Sequence, residues 1–239
     1  MNFEQSYNVL LNLEQITKIQ SEDTNTFFMM DNRTTHDPTL LQMPDYIPME
    51  SVDNSEFETL PVTRESIDGR TIRLKTVNQV THYHSNMAAF ILLGRWMDYL
   101  RENNVYDNTR IIIVADHGHP QGFKEFRFGT ESHEDVLTYN PVLLVKDFGS
   151  TGFSIDEQFM TNADTPTIAM EGLIENPLNP ATGEPITNKD KTESDILVKH
   201  TEVWDIKRNN GNTFLPGDWY RFHGDNIFDI SSWEPIGRQ

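Results

Sequence analysis

The chain has 239 residues, no cysteine, and 37 acidic against 19 basic side chains, for a formal charge of -18 at pH 7. The length suits one α/β domain, or a domain with a small addition. The charge argues against nucleic acid as a partner, because phosphate would be repelled, and the lack of cysteine excludes disulfides, thiolate metal sites and a cysteine nucleophile. No apolar run reaches the roughly 20 residues needed to cross a bilayer, and no signal peptide is visible at Met1.

Phe3, Leu10, Leu13 and Ile16 recur at helical spacing and predict an amphipathic helix in the first twenty residues. Thr26 to Met30 is a short apolar run that reads as a buried strand ending at Asp31-Asn32. From His36 to about Glu65 the chain is Pro-rich and acidic without a period, which predicts a long ordered loop. Val77 to Arg101 carries the strongest helical pattern, with Val80, Met87, Phe90, Ile91, Leu93, Trp96, Met97 and Leu100 mostly on one face. The turn-forming residues of Asn103-Asn104 and Asp107-Asn108 then deliver the chain to Ile111-Ile112-Ile113-Val114.

Four β-branched residues in a row predict a strand covered on both faces, as in the centre of a parallel α/β sheet. It runs straight into Ala115-Asp116-His117-Gly118, at the carboxyl end where open α/β sheets place their ligand sites. A second buried strand is expected from Pro141 to Val145, and Asp164-Thr165-Pro166 reads as a helix start with Ile168, Ala169 and Ile174 facing the sheet. After Asn176 the texture changes to Pro, Asn and Thr with short apolar runs such as Leu197-Val198 and Trp219-Tyr220, a small antiparallel β appendage. The expected architecture is therefore α/β, with a central, largely parallel sheet flanked by helices over residues 1–176 and a β-rich appendage over residues 177–239.

Asp116 and His117 are the first candidates for chemistry. A carboxylate beside an imidazole suits a divalent metal such as zinc or manganese; the competing reading is a capping Asp beside a solvent-facing His. His119, one residue past the glycine, reads as a supporting or surface residue. His36, in Thr34-Thr35-His36-Asp37-Pro38, is either a substrate-binding imidazole or general acid on an active-site loop, or an ordinary loop histidine. His133, in Glu131-Ser132-His133-Glu134, could reach the same edge as the Asp-His turn or be a solvated histidine among acids. His82 and His84 stand two apart on the long helix, cannot share a face, and read as surface or packing residues.

The ordered set Thr34-Thr35-His36-Asp37-Pro38, His82-Tyr83-His84-Ser85-Asn86-Met87, Tyr106-Asp107-Asn108-Thr109, Asp116-His117-Gly118 and Asn140-Pro141-Val142 resembles the sulfatase-like branch of the alkaline phosphatase superfamily. Within that branch it is most similar to membrane-anchored enzymes of the lipoteichoic acid synthase and phosphoethanolamine transferase type. The resemblance runs from about Thr26 to Ile174. It implies an alkaline phosphatase-like sheet, Asp116 and His117 as ligands of manganese, zinc or calcium, His36 as a contact to the substrate's anionic group, and His133 as an additional site histidine. It also implies a phosphate- or sulfate-ester substrate, a location on the extracellular face of the cell membrane, and membrane attachment only through helices upstream of this chain.

Family members take a Thr, Ser or modified Cys nucleophile and an acidic metal ligand from a region well before the His-Asp-Pro loop, and no such strand precedes His36 here. The expectation is therefore the C-terminal part of a metal-dependent phosphoryl- or sulfuryl-ester hydrolase or transferase, inactive in isolation. Its sites are expected to converge, with His36 and the Asp116–His117 pair at one edge of the sheet. The alternative is a non-catalytic α/β module that binds an anionic ligand or a partner.

Overall fold

A computed structural model describes residues 2–21, 24–57, 61–65, 71–128, 134–186, 195–200 and 216–238. The chain divides into two compact units, Met1–Thr109 and Arg110–Gln239. No helix among the described residues is long and apolar enough to cross a membrane.

The first unit is built on helices. α1 (Phe3–Leu11) starts at a capping box: Asn2 Oδ1 accepts from the Gln5 amide and Gln5 Oε1 accepts from the Asn2 amide, satisfying two donors left open at a helix start. Phe3, Tyr7 and Leu10 bury one face of it, joined by Leu13 of the short α2 (Leu13–Ile16). α3 (Val77–Glu102) also begins at a capping box, Thr76 with Gln79, and ends one residue beyond the expected helix. Ala88, Ala89 and Leu92 of α3 pack with the α1–α2 face and with Leu41 and Tyr46 from the loop that follows Pro38. The small Ala88 and Ala89 let the helices approach closely, and each fully buried aromatic or leucine contributes about 1.5–3 kcal/mol. The Trp96 indole donates to Thr17 Oγ1 at 2.9 Å, tying the end of α2 to the last turns of α3. A hairpin of β1 (Val62–Glu65) and β2 (Thr71–Leu74) adds a satellite cluster of Val62, Leu74 and Val80.

The buried strand expected at Thr26–Met30 does not form. Phe27, Phe28 and Met29 are 80%, 70% and 83% exposed, and the segment pairs with no strand among the described residues. An apolar run becomes a strand only where another strand completes its hydrogen-bond ladder, and local composition cannot supply that partner.

The second unit overturns the expected central parallel sheet. β3 (Ile111–Val114) pairs with β6 (Leu143–Lys146), but antiparallel and in a sheet of two strands, with Ile111 opposite Lys146 and Val114 opposite Leu143. Val114 and Val145 are 39% and 45% exposed, so the run is not covered on both faces. The physical reason lies in the connection. Parallel neighbours need a crossover, usually a helix, to return the chain to the same end. The described residues between β3 and β6 hold only two short 3-10 turns and the two-residue strands β4 (Arg127–Phe128) and β5 (Glu134–Asp135). A chain that returns without crossing over arrives antiparallel.

α4 (Thr165–Met170) packs on β3, with Ile168 and Ala169 half-buried and Ile174 exposed just beyond its end. Beyond it β7 (Ile196–His200), β8 (Asp218–Phe222) and β9 (Trp233–Arg238) form an antiparallel sheet in that order. Tyr220, Phe222 and Trp233 share one core with Phe128 and Val136, and Phe128 stacks on Trp233 with ring centroids 4.3 Å apart. The Trp233 indole N–H donates to the Ile227 carbonyl at 2.8 Å, so the ring is buried without an orphaned donor. Across the described residues the sheets are small and antiparallel, and no large central sheet is present.

Candidate functional site

In the first unit the loop bearing His36 is pinned at both ends. Asn32 accepts the Thr34 amide at 2.9 Å and donates to the Ser6 carbonyl of α1 at 2.9 Å. On the far side, Ser85 of α3 accepts the Thr39 amide at 3.0 Å and donates to the Asp37 carbonyl at 3.3 Å. Next to it, the Leu41 amide donates to His84 Nδ1 at 3.2 Å. A backbone N–H can only donate, so Nδ1 of His84 accepts and its neutral ring carries the proton on Nε2. His84 is fully buried and His82 nearly so; both are packing residues, and His84 also fastens the loop.

Between those anchors His36 is exposed. Its Nδ1 lies 2.9 Å from Asp37 Oδ1. An ionised carboxylate only accepts, so Nδ1 carries a proton and the ring is oriented by its neighbour. The Arg33 guanidinium nitrogen Nη2 sits 3.2 Å from Nδ1 and 3.4 Å from Nε2 of the same ring. Near-equal distances to both nitrogens place it over the ring face, since an in-plane approach between them would collide with Cε1–H.

In the second unit Asp116 and His117 occupy the turn after β3. The Ala115 amide donates to the Val142 carbonyl and prolongs the β3–β6 ladder by one bond, and Asn162 Nδ2 donates to the carbonyls of Ala115 and Asp116 at 3.0 and 2.8 Å. The Gly118 amide donates to the Thr138 carbonyl at 2.9 Å, and a Cβ at Gly118 would lie 1.7 Å from the Leu137 carbonyl oxygen. Glycine is required here by close backbone approach. Asp135, nearly fully buried, accepts the amides of Gln121, Gly122 and Leu137 at 3.0, 3.0 and 2.9 Å and so fastens the chain just past the turn. His119, expected as a supporting or surface residue, is exposed with Nδ1 3.1 Å from Gln121 Nε2.

The two side chains themselves face solvent, Asp116 90% and His117 59% exposed. His117 Nδ1 lies 2.6 Å from the Gly118 carbonyl, which can only accept, so Nδ1–H donates and the lone pair of the neutral ring is on Nε2. Nε2 lies 3.7 Å from Asp116 Oδ2. Two donors at about 2.0–2.2 Å from a tetrahedral zinc stand about 3.4 Å apart. A ring N–H tied to a backbone carbonyl is also the usual way a metal-ligating histidine is held. The pair therefore fits one ion as two ligands of a larger set. Among the described residues no group of three His, Asp or Glu is placed to complete it.

His133 lies outside the described residues. His36 belongs to the first unit and Asp116 with His117 to the second. Reading the sequence missed Arg33, Asn162 and Asp135. Asn32 and Arg33 directly precede the Thr-Thr-His-Asp-Pro run, the one local signal for Arg33; the contacts of Asn162 and those of Asp135 with Gln121 and Gly122 span 13 to 47 residues and leave no local trace, and only the Asp135 bond to the Leu137 amide is local. Comparison with protein-family models, with curated proteins and with solved structures gives no match to this chain.

Proposed function

We propose that this chain serves metal-dependent hydrolysis or transfer of phosphate or sulfate esters, with Asp116 and His117 as two ligands of a divalent ion and His36 as a contact to an anionic ester. The carrying observation is the ring of His117. Its Nδ1–H is committed to the Gly118 carbonyl and its Nε2 lies 3.7 Å from Asp116 Oδ2, on a turn that backbone and Asn162 contacts hold in place. Support also comes from the resemblance of the Thr34–Pro38, His82–Met87 and Asp116–Gly118 segments to the sulfatase-like enzymes, a resemblance that implies activity on the outer face of a cell membrane.

When bound, a divalent ion supplies a Lewis acid that draws charge from an ester oxygen. The residues of this chain hold it: Asp116 contributes a negative charge, His117 a neutral nitrogen, and Asn162 fixes the carbonyls behind them. Titration of the full chain with Zn²⁺ and Mn²⁺ by calorimetry tests this. Binding at one site should weaken at least tenfold in both Asp116→Asn and His117→Ala. Metal binding unchanged in both variants would refute it.

The runner-up is a module that binds an anionic ligand without metal. It is favoured by the His36 loop, whose charged groups are assembled from neighbouring residues, with no metal ligand set around them among the described residues. Anion binding in the full chain that is indifferent to EDTA, together with absent metal binding, would select it.

A further inference from the structure

We infer that Arg33 is a second anion contact beside His36, and that the two together suit a tetrahedral oxyanion carrying a single negative charge, the state of a phosphodiester or a sulfate monoester. This rests on the reading of His36 given above and extends it from one side chain to a site with a charge preference.

The first ground is the company Arg33 keeps. Acids outnumber bases 37 to 19 in this chain, yet no carboxylate of the described residues pairs with Arg33. Its guanidinium lies over the His36 ring instead. One Nη2 hydrogen is turned toward the ring, and the remaining donors of the guanidinium meet no carboxylate of the described residues, so they are available to the oxygens of a phosphate or sulfate.

The second ground is fixation. Asn32 on one side and Ser85 on the other hold the backbone of this short segment, and Thr34 between them is fully buried. The His36 amide also closes a turn onto the Arg33 carbonyl at 3.1 Å. The two donors are thus kept on one turn, so little ordering remains to be done when an anion arrives.

The third ground is charge. Arg33 contributes +1 and Asp37, bonded to the His36 ring, contributes -1. With the ring protonated the local sum is +1; with the ring neutral it is zero. In neither state does the turn offer the two positive charges that would neutralise a phosphate monoester, which is close to a dianion above its second pKa of about 6. A monoanion meets full neutralisation at most and never an excess.

The test uses the full chain in EDTA at low ionic strength and pH 7.5, with methyl sulfate, dimethyl phosphate and methyl phosphate as probes, followed by side-chain NMR shifts. Either monoanion should move the His36 ring and Arg33 guanidinium signals, whichever of the two binds more tightly. Arg33→Gln should weaken that binding at least tenfold, and Arg33→Lys should recover only part of it because the planar fork is lost. Thermal melting of these exposed-loop variants should stay at the wild-type value. If His36→Gln weakens binding while Arg33→Gln does not, the role of Arg33 is overturned and the reading of His36 stands. If methyl phosphate binds more tightly than both monoanions, the charge assignment is overturned. If no probe moves either residue's signals, the site and the reading of His36 fall together.

Discussion

His84 shows how much one ring can carry. Burial pushes its pKa below the ordinary histidine value, and the positive charge of Arg64 works in the same direction. Its Nδ1 lone pair is occupied by the Leu41 amide, so a proton reaches that nitrogen only by breaking the bond that fastens the His36 loop to α3. The unfolded chain binds this proton more readily than the folded one. Stability from His84 is therefore complete above pH of about 6.5 and is lost as pH falls toward the lowered folded value. Melting temperature should drop between pH 7.5 and 5.5, and more steeply in the wild type than in His84→Gln, which keeps an acceptor but cannot titrate. Parallel slopes in the two proteins would show that His84 does not report on acidity.

At the scale of elements, Arg110 joins three parts of the second unit. Its Nε donates to Asp147 Oδ1 at 2.9 Å, and its Nη1 donates to the carbonyls of Ile168 and Glu171 at 2.8 and 2.7 Å, capping the end of α4. The same guanidinium lies 4.7 Å from the centre of the Phe148 ring. The Arg110 hydrogen bond is the first cause holding the Asp147 carboxyl below the usual carboxylate range. Bonds to a charged donor are worth about 1.5–3 kcal/mol, so Arg110→Ala should cost roughly 2–3 kcal/mol in urea unfolding. A loss under 0.5 kcal/mol would mean that α4 is held without it.

Elements differ in how well the amino-acid pattern announces them. α3 is legible as a helix from the recurrence of its apolar residues, but of Val80, Met87, Phe90, Ile91, Leu93, Trp96, Met97 and Leu100 only Val80 and Leu100 are buried and Phe90 is 38% exposed, so the pattern announces the helix and not its buried face. The Ile111 run is legible as a strand and as a neighbour of the Leu143 strand, but not in direction or cover. Periodicity reports which faces are apolar and says nothing of strand polarity. The clue to polarity was the stretch from 115 to 142, whose sequence carries no helical apolar period of the length a crossover needs. The Phe27 segment misleads for a different reason, since its missing partner is a non-local fact. At the candidate sites, the placement of the Asp-His turn directly after a strand is legible, whereas Asp135 gathers amides from both sides of a loop and could be found only in three dimensions.

For the whole molecule the dominant field is its own charge. With -18 on 239 residues, self-repulsion opposes the compact state, and salt screens it with a Debye length near 10 Å at 0.1 M. Melting temperature should therefore rise by several degrees between 10 and roughly 200 mM NaCl. A fall would indicate that specific ion pairs such as Arg110–Asp147 outweigh the net repulsion. The same charge draws divalent cations, so weak and scattered metal binding over the acidic surface is expected alongside any defined site. Affinity alone is thus a poorer witness than the identity of the ring that binds.

The most direct measurement is a histidine ring nitrogen NMR spectrum of the full chain, recorded with and without one equivalent of Zn²⁺. The His117 ring should be found protonated on Nδ1 before metal is added, matching its 2.6 Å contact with the Gly118 carbonyl. On addition of zinc its Nε2 signal should move to the metal-bound range, with buried His84 unchanged. A His117 ring that is protonated on Nε2, or that stays unmoved while other histidines respond, would contradict the assignment of Asp116 and His117 as a metal-binding pair.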